Sequence, residues 1–302
     1  MQSTWLLAAL LLSLLFPLTC FAQQQDDDDV VRVNSELVLL NVTVVDENGK
    51  FVHGLRRSDF KVFEDGKEQA VTVFGDEVTP FAAAVLLDTS GSMEERLTMA
   101  RGAAVRFLDG LRGEDSAAVY RFDSKVEQLQ EFSSSRDLPP LAFEIRAKGM
   151  TVLNDAVMSA ANDLAGRTEK RRAIVVLSDG ADTASKASEG KALDRALAAG
   201  VTIYAVDMSA TPERGPASRD AHAAGSLKNF TSKSGGRYVG TPGGPAMRDA
   251  FAGIAEELGN QYTIAYRPSN RARDGRWRTI EIKLSRPQLS ARTRKGYRAQ
   301  KQ

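Results

Sequence analysis

The chain has 302 residues, 42% of them hydrophobic and 26% charged, with a formal net charge of +1. That length accommodates one large domain or two modest ones, and the composition is that of a globular protein. The near-zero charge excludes attraction of the molecule as a whole to nucleic acid or to an acidic membrane surface.

The first segment reads as an export signal. Positions 5–18 are nearly all apolar, the length of a signal-peptide core and too short to span a bilayer. Cys20-Phe21-Ala22 supplies a small-x-small cleavage site, so residues 1–22 are expected to be removed, although Met1 to Thr4 contain no Lys or Arg. A lipid-modified Cys20 is the alternative, and Pro17-Leu18-Thr19 is a poor context for it. Cleavage after Ala22 leaves no cysteine and hence no disulfide, which suits a bacterial envelope better than an animal extracellular space. The expected location is periplasmic or secreted. Residues 23–30, acidic and glutamine-rich, read as a linker.

Residues 31–80 have β texture. Val38, Leu40, Val42 and Val44 recur at period two, and Glu47-Asn48-Gly49 supplies a turn. Phe60 and Val62 lead into a hairpin signal at Asp65-Gly66, followed by Val71 and Val73. From 81 to 259 the pattern changes. Apolar runs without alternation at 82–87, 117–122, 173–177 and 201–206 predict strands buried on both faces. Helical spacing separates them, in Leu97, Ala100, Ala104, Phe107 and Leu108, and again in Leu153, Ala156, Val157, Ala160 and Leu164. Further helices are expected near 192–197 and at 247–258. Residues 260–302 return to β texture, with Tyr262, Ile264 and Tyr266, then Ile280, Ile282 and Leu284, and a turn at Asp274-Gly275 between them. The expected fold is a doubly wound, mostly parallel α/β sheet inserted in a small β-sandwich built from the N- and C-terminal strands. From Arg267 onward twelve Lys or Arg face two acids, a local charge of +10 that leaves −9 for the rest. Such a run is either a solvated face or a contact for an acidic partner such as an envelope polymer.

Three loops concentrate oxygen ligands. The first apolar strand runs into Asp88-Thr89-Ser90-Gly91-Ser92, Gly149-Met150-Thr151 precedes a predicted helix, and Leu177-Ser178-Asp179-Gly180 ends another strand. In an open α/β sheet all three fall at the carboxyl edge, where ligands bind. Each alone has a structural explanation: Ser92 with Glu95 fits a capping box, Thr151 fits a helix cap, and Asp179-Gly180 fits a turn.

Together, the loops resemble the metal-ion-dependent adhesion site of the von Willebrand factor A domain family. The resemblance covers residues 81 to about 258. It implies that Asp88, Ser90 and Ser92 act as ligands with Thr151 and Asp179, and Met150 stands where many relatives carry glycine. The flanking β-segments and the closing Arg294-Lys295-Gly296-Tyr297 are similar to those of bacterial exported relatives. Hydroxyl and carboxylate oxygens suit Mg²⁺ or Mn²⁺ ahead of Ca²⁺. The function implied is protein binding, in adhesion or scaffolding, through a partner's Asp or Glu carboxylate, without enzymatic activity. The resemblance also implies a last helix that shifts with site occupancy. The alternatives are a metal-dependent hydrolase or phosphotransfer enzyme, and an accessory subunit of an ATP-driven complex. Against the enzyme stand the absence of a Walker loop and the placement of the only two histidines, His53 and His222, far from the ligand loops in sequence.

Overall fold

The computed structural model describes residues 37–76, 79–209, 218–240 and 244–301. The expected leader, the linker and Cys20 lie outside the described residues. Among those described, no helix is long and apolar enough to cross a membrane.

Strands β1 (Val38–Val45), β2 (Phe60–Glu64), β3 (Lys67–Gln69) and β4 (Val71–Gly75) come first. The α/β part follows with β5 (Phe81–Asp88), α1 (Leu97–Asp109), β6 (Ser116–Phe122), β7 (Val126–Ser133), α2 (Leu141–Glu144) and α3 (Leu153–Ala165). It continues through β8 (Arg171–Ser178), α4 (Glu189–Ala198), β9 (Val201–Asp207), α5 (Ser218–Ser234), β10 (Tyr238–Gly240) and α6 (Gly244–Gly259). The chain closes with β11 (Tyr262–Tyr266), β12 (Trp277–Leu284), β13 (Ser290–Arg292) and β14 (Gly296–Arg298).

The central sheet has the order β10-β9-β8-β5-β6-β7, parallel except for the edge strand β7. Every residue of β5 is buried, because helices cover both faces. Phe81, Ala83, Val85 and Leu87 pack with α1 and α6, while Ala82, Ala84 and Leu86 pack with α3, α4 and α5. A strand buried twice has no polar face, which is why its sequence shows no alternation. From β5 the chain winds first to β6 on one side and then to β8 on the other. The reversal opens a crevice between the carboxyl ends of β5 and β8.

The terminal strands form two four-stranded sheets, β13-β1-β11-β4 and β14-β12-β2-β3. Strands from the two ends of the chain pair directly, Val38 opposite Tyr266 and Ile282 opposite Val62. Their inward residues, among them Leu40, Val42, Val62, Ile264 and Ile280, form one core between the sheets. Asp65 and Gly66, both at positive φ, turn β2 into β3, the geometry of a type I′ hairpin. The apolar Val71 and Val73 are not the return arm, since β4 crosses to the other sheet beside β11. Likewise β11 and β12 lie in different sheets, so Asp274-Gly275 belongs to a crossing connection and not to a hairpin. Polar Lys67–Gln69, the half-exposed β7 and the polar α5 escape periodicity analysis because none carries a clean apolar stripe.

One buried carboxylate joins α6 to both neighbours. Glu257, 1% exposed, accepts hydrogen bonds from Thr43 Oγ1 on β1 (3.0 Å), Tyr204 OH on β9 (2.8 Å) and the Arg292 guanidinium on β13. Gln261 Nε2 donates to the same Thr43 and Tyr204 hydroxyls, each at 3.2 Å. At the helix end, fully buried Arg171 donates to Gly259 O (3.2 Å) and to Gln261 O. Burial pushes its pKa down to about 10, which leaves it charged at neutral pH. Part of the basic C-terminal run is spent in the same junction. Arg298 Nε lies 2.7 Å from Asp194 Oδ2 on α4, and Arg294 Nη1 donates to Leu197 O (3.0 Å).

Glu257→Ala would strip three donors of their acceptor and leave Arg292 without its counter-charge, at a cost of about 3 kcal/mol. Urea denaturation followed by circular dichroism should show a clearly lower midpoint; an unchanged midpoint would mean that the network adds no net stability.

Candidate metal centre

The crevice between β5 and β8 is built from three loops tied to one another in pairs. Asp88 ends β5 and is fully buried. Its Oδ1 accepts the Ser90 amide (2.9 Å) and its Oδ2 accepts the Ser178 hydroxyl (2.5 Å) from the end of β8, joining the first loop to the third. Thr89 turns inward, donating its amide and hydroxyl to Phe122 O at 2.8 and 3.2 Å. Lys148 N donates to Thr89 O (2.9 Å) and Gly91 N to Gly149 O (3.2 Å), joining the first loop to the second. Thr151 exchanges backbone bonds with the third: its amide reaches Thr183 Oγ1 (2.9 Å), and its carbonyl accepts the Thr183 and Ala184 amides.

Within that frame, the Ser90 and Ser92 hydroxyls lie 3.1 Å apart. Thr151 is 3% exposed, and among the described residues its hydroxyl has no hydrogen-bond partner. Asp179 follows β8, 8% exposed, with Oδ1 accepting only the Ala181 amide at 3.3 Å. Neither Asp88 nor Asp179 meets a cation among the described residues. Burial pushes the Asp88 carboxyl up to about 6 and the charge of Asp179 adds to the rise, against the opposing hydrogen bonds of Ser178 and Ser90.

The capping explanations of two of these residues do not hold. A 3-10 turn at Gly91–Met93 intervenes after Ser90, and α1 starts only at Leu97 with Arg96 at its cap. Ser92 therefore caps nothing, and the helix is not aimed from Ser92 as its sequence suggests. The first turn of α3 is capped from across the crevice: Asp182 accepts the Asn154 amide (2.8 Å) and Ser185 Oγ the Asp155 amide (3.1 Å). Asp155 in return accepts the Lys186 and Ala187 amides. Thr151 is left out of the cap.

Several supporting residues carry no motif. Ser178 shares its hydroxyl between Asp88 and the Gly180 amide (2.9 Å). Ser124, in the turn after β6, accepts the Met150 amide (3.1 Å). Gly149, at φ +80, could not be exchanged freely, because a Cβ there would lie 2.6 Å from Ser124 Oγ. Asp207, opposite Ser178 on β9, is satisfied by Tyr238 OH and the Ser209 amide. Among the described residues no three His, Cys, Asp or Glu side chains gather as metal ligands; the oxygens at the crevice are those of two carboxylates and neutral hydroxyls. Hard oxygens around an uncompensated pair of carboxylates fit a small divalent cation.

The sequence of residues 83–181 matches the von Willebrand factor type A domain family. This part of the chain is a von Willebrand factor type A domain. No curated protein matches the chain. Among solved structures it is similar to the vWF domain of the type V pili tip protein Mfa5 from Porphyromonas gingivalis (14% identity, TM-score 0.49, 60% of this chain and 95% of that one). It is also similar to the conserved hypothetical protein BatB from Bacteroides thetaiotaomicron (17%, 0.47, 59% and 98%). The PilB minor pilin from Streptococcus sanguinis gives 14% identity and 0.47, over 62% of this chain and 63% of that one. At these values the likenesses carry no argument about function. The type A domain spans β5 to β8 by sequence, and the three ligand loops all lie within or at the end of that match.

The Asp88 carboxyl fixes the sign of a pH effect. It titrates at about 6 in the fold against an ordinary 3.8, so the folded protein binds an extra proton between those values. Its contribution to stability is complete below about 3.8 and lost as pH rises through about 6, on the order of 3 kcal/mol. A divalent cation would replace the proton. Mg²⁺ should therefore raise the thermal midpoint more at about pH 7.5 than at about pH 5, and Asp88→Asn should remove both the pH step and the Mg²⁺ effect. A wild-type midpoint indifferent to Mg²⁺ at the higher pH would count Asp88 out as a ligand.

Proposed function

We propose that this protein is a metal-dependent protein-binding module of the bacterial cell envelope, serving adhesion or scaffolding. In this reading Asp88, Ser90, Ser92, Thr151 and Asp179 hold Mg²⁺ or Mn²⁺, and an Asp or Glu of a partner protein supplies the remaining ligand. The observation that carries it is the pair Asp88 and Asp179, buried at the crevice between β5 and β8 with no cation beside them among the described residues. Isolated buried carboxylates are costly, and a divalent ion supplies the positive charge that offsets them. The Thr151 hydroxyl, without a hydrogen-bond partner among the described residues, supports the same assignment.

The chain's own residues set what the site accepts. Ser178 and the Ser90 amide orient the Asp88 carboxylate, as outer partners of a ligand do. The pairwise ties among the three loops hold the donors in place before any ligand arrives, so little ordering remains to oppose binding. Two negative ligands leave a divalent ion with no surplus charge to repel an incoming carboxylate. Against an enzymatic reading, no Walker loop occurs in the sequence, and His53, the one histidine among the described side chains, is exposed in the β-sandwich. Export to the periplasm or beyond follows from the apolar leader at positions 5–18.

Calorimetric titration of the purified protein with Mg²⁺ and Mn²⁺ tests the site directly. Wild type should take up metal and Asp179→Ala should lose at least tenfold in affinity. Equal uptake by both proteins would remove Asp179 from the ligand set, and no uptake by either would leave a structural turn in place of a metal centre.

A further inference from the structure

One wall of the crevice is a basic strip whose backbone is fixed and whose side chains are not used by the fold. Arg101 on α1 donates to Ala142 O (2.7 Å) and to Ile145 O, pinning the start of the strip. Lys148 N on Thr89 O, Gly91 N on Gly149 O and Met150 N on Ser124 Oγ pin its end. Between these anchors Arg146 and Lys148 are exposed, and neither forms an ion pair among the described residues. Met150, 56% exposed, stands last, next to Thr151. Glu94 and Glu95, just past Ser92 in the neighbouring loop, are exposed and carry the reverse sign. The hydrogen bond from Gly91 to Gly149 joins that loop to the end of the strip.

We propose that the strip from Arg146 to Met150 is a second contact surface for the partner, recognising an acidic, extended segment that runs outward from the carboxylate held at the crevice. This rests on the reading of the site given above. The strip from 146 to 150 measures roughly 13 Å if extended, the span of about four residues of a partner strand. A partner segment with acidic side chains beyond its liganding carboxylate finds Lys148 and Arg146 along the strip, and Glu94 and Glu95 on the neighbouring loop disfavour the path past Ser92. Attraction on one side and repulsion on the other set its direction, which is how charge at an interface acts on specificity more than on raw affinity. Met150 offers an apolar contact between the metal-bound carboxylate and the first basic side chain. Because the strip's backbone is already held, binding orders only the side chains.

The test uses the purified protein and a fluorescent hexaglutamate peptide, read by anisotropy with Mg²⁺ and with chelator, beside a Mg²⁺ titration without peptide. Both substitutions in Arg146→Glu/Lys148→Glu are at exposed positions, so the variant should fold and bind Mg²⁺ as wild type does. Its affinity for the peptide should fall roughly tenfold, and the salt dependence of binding should flatten. Glu94→Gln/Glu95→Gln should raise affinity a few-fold. Peptide binding undiminished in the Arg146→Glu/Lys148→Glu variant would overturn the strip and place the contact elsewhere, for instance on the basic C-terminal strands. No peptide binding to wild type in either condition would overturn it as well. If peptide binding requires Arg146 and Lys148 while Mg²⁺ is neither bound nor needed, the strip stands and the metal centre falls.

Discussion

Everything at the carboxyl edge of the central sheet is arranged around the burial of Asp88. A carboxylate at 0% exposure must be hydrogen-bonded, paired or protonated. Here it receives the Ser178 hydroxyl and the Ser90 amide but, among the described residues, no cation. The cost of keeping it charged shows in a titration moved up to about 6. The surrounding loops are tied to their neighbours by hydrogen bonds. Thr89 is locked onto the end of β6, Thr151 onto Thr183, and the first turn of α3 onto Asp182 and Ser185. This uncompensated burial is the physical basis of the proposed metal site.

A second buried carboxylate does the opposite work. Glu257 is fully paired, by Thr43, Tyr204 and Arg292, and these three donors come from the sandwich and from the central sheet. Together with Arg171 on the carbonyls at the end of α6, it makes this helix continuous with the β-sandwich. Any displacement of α6 would have to carry β1 and β13 with it or break this network. The basic C-terminal run takes on a different meaning in this light. Arg292, Arg294 and Arg298 hold the two parts of the chain together, so the net charge of that segment overstates what is presented to solvent.

The contrast between the two carboxylates explains why one was legible in sequence and the other was not. Asp88 sits in a local pattern, an apolar run ended by Asp-x-Ser-x-Ser, and local pattern survives in a one-dimensional reading. Glu257 lies in an ordinary helical stretch, and its partners are 214, 53 and 35 residues away. The same reasoning covers Ser178, Ser124 and Asp182, whose roles depend on which loops meet. It covers the capping explanations too. Ser92 followed by Glu95 has the spacing of a capping box, yet the chain inserts a 3-10 turn there and begins α1 five residues later, at Leu97.

The sequence alone determined the strands buried on both faces, the α/β alternation between two β-rich ends, and the three loops bearing Asp88, Thr151 and Asp179. Periodicity and composition report burial directly, and a hydrophobic run cannot be disguised. Only the tertiary structure decided the pairing of β1 with β11 and the crossing of β4 and β12 between sheets, because strands of one sandwich share the same alternation whichever sheet they join. It alone decided which hydroxyls are consumed by the fold and which are left over. Ser178 and Thr183 are spent on neighbouring loops while Thr151 is not, and that difference comes from geometry between distant segments, which no residue type encodes by itself.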